Sequence, residues 1–127
     1  MSLPQLNVYR HDRRNRTLIT LAGEIDLETA PLVSASLRDC LYEGVHTINV
    51  DLTTVTFCDV SGLNAFLYAS AQATGAGGSL RLHHPPLSLG RILALTGYAF
   101  LLNGRPAGAD AVTPAPQRPA PLPAGPR

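Results

Sequence analysis

The stretch Phe57-Cys58-Asp59-Val60-Ser61-Gly62-Leu63 follows a strand-like segment, Thr47-Ile48-Asn49-Val50-Asp51-Leu52, and opens an apolar-periodic helix. At the start of a helix several backbone N–H groups lack partners and the local dipole is positive. A phosphate placed there would be held by the same groups that bind anions at helix N-termini. Ser61 is therefore a candidate for a phosphorylation-controlled contact surface. The plainer role for it is a helix cap, its oxygen accepting from a backbone N–H and contributing about 1 kcal/mol.

Upstream of this stretch, Leu6-Asn7-Val8-Tyr9-Arg10 alternates apolar and polar residues as a half-buried strand does. Asp12-Arg13-Arg14-Asn15 is a polar turn and Thr17 to Ala22 a second strand, making a hairpin stopped by Gly23. Thr29 reads as an N-cap with Pro31 in the first helical turn. Val33, Leu37, Cys40 and Leu41 then recur on one helical face, and Gly44 suits a left-handed terminus.

Downstream, a second helix runs from about Gly62 to Ala73, with Leu63, Phe66, Leu67, Ser70 and Ala71 inward. That leaves Asn64 and Tyr68 toward solvent or a partner. Ser79-Leu80-Arg81-Leu82-His83 is a fourth strand. A third helix opens at Pro86 or Leu87, presents Leu89, Ile92, Leu93 and Thr96, and closes at Gly97. A short last strand, Phe100-Leu101-Leu102, follows. The order β-β-α-β-α-β-α-β predicts a single α/β domain with a mainly parallel central sheet. Whether helices cover one face or both is left open by order alone.

The domain is expected to span residues 1–104. Residues 105–127 hold most of the chain's 11 prolines and almost no large apolar side chains. Such a composition cannot offset its ordering entropy, so a disordered, partly polyproline-II tail is expected.

The length of 127 residues fits one domain, and the formal charge of +1 gives no electrostatic reason to expect nucleic acid or an acidic membrane. No apolar run approaches the roughly 20 residues that span a bilayer, and no signal-peptide pattern opens the chain, so a cytoplasmic location is expected. Every basic residue is arginine. The absence of lysine excludes P-loop, protein-kinase and Schiff-base chemistry, and phospho-aspartate receivers of the usual kind.

Other chemistry is weakly supported. Asp59 and Leu63 stand where a nucleophile elbow around Ser61 needs glycines, so no catalytic residue is assigned. Adjacent strand residues His83 and His84 point to opposite faces and cannot share one ion well, so no metal or other cofactor is expected. Cys40 and Cys58 fit no metal spacing and read as buried thiols. Glu24 and Asp26 form a spaced carboxylate pair, Asp26 suiting turn and helix-entry hydrogen bonding.

Five segments in order, Gly23-Glu24-Ile25-Asp26, Asp51-Leu52 with Phe57-Cys58-Asp59, Ser61-Gly62-Leu63, Gly78 to Leu82, and Leu95-Thr96-Gly97, resemble the STAS family of sulfate transporters and anti-sigma factor antagonists. The resemblance covers residues 5 to 104, and a small stand-alone domain looks most like the bacterial anti-sigma factor antagonists. It implies a protein without catalysis of its own that binds an anti-sigma factor, often a serine kinase, and so frees a sigma factor. Phosphorylation at the start of the second helix separates the pair and a phosphatase resets it. The partner surface implied comprises Asp26, Asp59, Val60, Ser61, Gly62, Asn64 and Tyr68, on a monomer or weak dimer.

One departure stands out. Phosphorylated family members carry the acceptor hydroxyl directly after the aspartate; here that residue is Val60, and only the second hydroxyl, Ser61, is kept. Either Ser61 is the acceptor or the protein is a constitutive adaptor of a signalling or transport assembly. A small-molecule binding module or enzyme using the strand ends as a pocket is the remaining alternative.

Overall fold

The computed structural model describes residues 5–104; the expected tail lies outside the described residues. The elements are β1 (Leu6–Arg13), β2 (Arg16–Ile25), α1 (Ala30–Tyr42), β3 (Thr47–Cys58), α2 (Val60–Gly75), β4 (Ser79–His83), α3 (Leu87–Thr96) and a 3-10 turn, Ala99–Leu102. The strands form one sheet in the order β1-β2-β3-β4. The hairpin pair is antiparallel, and β2–β3 and β3–β4 are parallel, as crossovers through α1 and α2 require.

Strand alternation explains which face the helices cover. Ile19 and Leu21 of β2, Ile48, Val50 and Leu52 of β3, and Leu80 and Leu82 of β4 are buried against Val33 and Leu37 of α1, Leu63 and Phe66 of α2, and Leu89 and Leu93 of α3. Each such side chain contributes about 1.5–3 kcal/mol when fully removed from water. The alternate residues, including Tyr9, His11, Leu18 and Arg81, stay exposed on the opposite face. Among the described residues, the sheet is thus covered on one side.

Several expectations are corrected. Gly23 does not stop β2: the strand runs on to Ile25, with Gly23 at φ +127 where an added Cβ would collide with the Gln5 carbonyl oxygen. β3 extends six residues beyond Leu52, to Cys58. The expected last strand is instead the 3-10 turn, with Phe100 and Leu101 buried. In α2, Ala71 is exposed and Leu67 half-buried, while Ala65, Ala69 and Ala73 join the inward face.

Candidate functional site: the first turn of α2

The C-terminal ends of β2 and β3 lie side by side, Ile25 paired with Cys58, so the residues that follow them meet at one end of the sheet. Asp26 leaves β2 there and Asp59 leaves β3. The Asp59 N–H donates to the Ile25 carbonyl at 3.1 Å, and the Cys58 N–H donates to Ser88 Oγ at 3.1 Å. The second bond ties the start of α3 to the same corner.

Asp59, not Ser61, caps α2. Its backbone is extended and its carboxylate accepts from the Ser61 N–H at 2.8 Å, satisfying one of the orphan donors of the first turn. The Gly62 and Leu63 N–H groups reach the Asp59 carbonyl at 3.1 Å. The helix therefore begins at Val60, and Ser61 is its second residue.

Gly62 is buried because α2 crosses the strand ends at close range. A Cβ there would stand 2.5 Å from Cys58 Sγ and 2.6 Å from Ile25 Cγ2. The Cys58 thiol beneath it is pushed up to about 12 by burial and then by the nearby Asp59 charge. Cys40 is buried too, and burial raises its thiol as well. Both cysteines are free, as expected of buried thiols.

On α1 the Thr29 position is the N-cap, yet its hydroxyl makes no bond to the helix. It donates to the Glu24 carbonyl at 2.8 Å and accepts from the Asp26 N–H at 3.0 Å. The loop is organised by Asp26, whose Oδ1 accepts from the N–H groups of Glu28 and Thr29 at 2.9 and 3.0 Å. That is the turn and helix-entry role its position suggested.

The residues singled out from sequence fall into two sets. Val60, Asn64 and Tyr68 are exposed, Val60 at 57 % of its surface, and Asp26, Asp59 and Ser61 are half-buried beside them. Gly62 is buried and contributes backbone and clearance only. Three exposed apolar residues at this end of the sheet escaped the sequence reading: Leu27 (79 %), Phe57 (43 %) and Leu87 (71 %). Leu27 and Leu87 sit at helix entries between polar or proline neighbours, where periodicity carries no signal. Leu27 follows Asp26, Phe57 precedes Cys58 and Leu87 precedes Ser88, so with Val60 they put exposed apolar side chains at this end of the sheet, a composition suited to a protein partner.

His83 and His84 are also corrected. His84 leaves the strand with φ +55, and both rings line the same concavity on the uncovered face of the sheet.

Residues 10–103 match the family described as "Mlab, STAS domain". The chain is 29 % identical over 98 residues to an anti-sigma-B factor antagonist of Bacillus subtilis (strain 168), covering 77 % of this chain and 89 % of that protein. Its fold is similar to a crystal structure of an anti-sigma factor antagonist from Mycobacterium paratuberculosis, with TM-score 0.67 at 23 % identity over 89 % of this chain and 97 % of the other. It is similar too to the Bacillus cell fate determinant SpoIIAA in its phosphorylated form, with TM-score 0.64 at 19 % identity over 84 % and 96 % of the two chains.

Proposed function

This chain belongs to the STAS domain family, and on that premise we propose that it acts as an anti-sigma factor antagonist. It docks through the first turn of α2 onto an anti-sigma factor, a serine kinase, and so releases a sigma factor for transcription. The observation that supports this most is the uncovered α2 start, with Val60 exposed beside Asp59 and Leu27, Phe57 and Leu87 exposed at the same end of the sheet. The contact surface comprises Asp26, Asp59, Val60, Ser61, Gly62, Asn64 and Tyr68. The protein works in the cytoplasm, as a monomer or weak dimer, without catalysis of its own.

Ser61 is the phosphoacceptor in this reading. Its phosphate would bring a charge of about −1.5 to −2 within one helical turn of Asp59. The two anions would compete for the same first-turn amides, loosening the Asp59–Ser61 bond. On a docked surface the added charge would cost several kcal/mol, each 1.4 being about tenfold in affinity. Phosphorylation therefore acts on binding more than on the fold, and a phosphatase restores the docking form.

Val60 favours a second reading. Its exposed position is where phosphorylated relatives carry their acceptor, and valine takes no phosphate. In that case the domain is a constitutive adaptor whose complexes ignore ATP.

Intact mass after mixing with a cognate anti-sigma kinase and Mg-ATP separates the two. Gain of one phosphate, abolished by Ser61→Ala, supports the switch. Binding that persists with no mass gain rejects it in favour of the adaptor.

A further inference from the structure

The uncovered face of the sheet holds a feature that the α2 surface does not use. A concavity of about 470 Å³ lies over the N-terminal parts of β2 and β3, where Leu18 and Asn49 pair across the strands. Arg13 and Arg16 stand on one side, and His83 and His84 on the other. Its volume falls in the range of small-ligand sites, roughly 300–1,000 Å³.

Two arginines, Arg13 and Arg16, and three histidines, His11, His83 and His84, line this one hollow with a single carboxylate, Asp51. Asp51 Oδ1 is taken up by the N–H and hydroxyl of Thr53, and Asp51 pairs with Thr20, four residues along β2 from Arg16. Among the described residues Arg10 alone forms ion pairs, with Asp12 and Glu43, so Arg13 and Arg16 have no carboxylate partner.

Arg13 and Arg16 are also direct cross-strand partners in the hairpin register. Side chains at such positions start about 4.5–5.5 Å apart, and like charges directly opposite destabilise the pair. Two guanidinium forks side by side match the oxygens of a phosphate, which each can hold through two parallel N–H bonds. Across the hollow, His83 is held below the ordinary histidine value by burial, then by Arg81 and His84, with Asp51 acting the other way.

We propose that the uncovered sheet face binds a small phosphorylated molecule, its phosphate clamped by Arg13 and Arg16 and its remainder lying over Leu18 toward His83 and His84. The site stands about one sheet length from the α2 turn and is independent of the docking surface proposed above.

The test is a pyrophosphate titration of the full chain at constant ionic strength, following the histidine imidazole and arginine Nε–H resonances. Saturable shifts at Arg13, Arg16, His83 and His84, with a dissociation constant below about 1 mM, are expected. The Arg13→Gln/Arg16→Gln variant should bind at least tenfold more weakly while melting no lower than the parent, since it removes a like-charge pair. Shifts that never saturate, saturation that survives the double substitution, or shifts confined to Val60–Leu63 would overturn the proposal. So would a short single-stranded oligonucleotide that binds the same residues tenfold more tightly than pyrophosphate.

Discussion

Asp59 and Gly62 carry the local logic of the α2 start. One supplies the acceptor that lets a helix begin directly after a strand; the other lets that helix approach the strand ends. Cys58 lies beneath both, and its protonation reports how dry that junction is. Its folded value, about 12, stands above the 9.0 of a free thiol. The stabilising contribution of the neutral thiol is therefore complete below pH 9 and is lost as pH rises toward 12, because the unfolded chain ionises first. Denaturation between pH 8 and pH 11 should show stability falling more steeply in the native chain than in Cys58→Ala. Equal slopes would mean the thiol is already open to water. That Asp59 rather than Ser61 caps the helix was open to a reading of residues, since both types favour the position. Distinguishing them needed the geometry, which ends β3 at Cys58 and starts α2 at Val60.

At the scale of elements, the three helices and β4 were legible because each has a readable period near a glycine or proline, and the hairpin because two alternating runs flank a polar turn, though its strand ends were not. β3 was legible only to Leu52. Beyond it the buried residues are Val55 and Cys58, spaced by three instead of two. The β2–β3 register shifts at Thr20/Ala22 and Gly23/Glu24, and those irregularities erase the alternation on which strand reading depends. The β-branched run Thr53 to Thr56 was the remaining signal. Phe100-Leu101-Leu102 failed for another reason: an apolar run of three has no period, so burial alone cannot tell strand from 3-10 turn. The extension of β3 matters functionally, because it carries Asp59 to the rim of the sheet. There α2 packs back across Ile25 and Cys58 with no room for a side chain at residue 62. Gly62→Ala should cost about 1–3 kcal/mol in chemical denaturation, as overpacked sites do. A loss below 0.5 kcal/mol, marking an ordinary surface substitution, would mean α2 sits farther from the sheet.

For the molecule as a whole, the sheet divides two surfaces. Its helical side ends at the C-terminal strand edge in the α2 turn, and its bare side holds the arginine-flanked hollow. The family and the mixed sheet were readable because the matching segments occur in order over nearly the whole domain. The exposed apolar set of Leu27, Phe57 and Leu87 was not, since residues distant in sequence come to one end of the sheet only once β2, β3 and α3 share a corner. Val60 tests the docking surface without touching the fold. It is 57 % exposed, and an aspartate at the first helical position complements the dipole. The decisive measurement is the affinity of a cognate anti-sigma factor for the native chain and for Val60→Asp, with melting temperatures recorded in parallel. Docking through the α2 turn predicts at least about tenfold weaker binding, 1.4 kcal/mol or more, at an undiminished melting temperature. Equal affinity for the two proteins would contradict it.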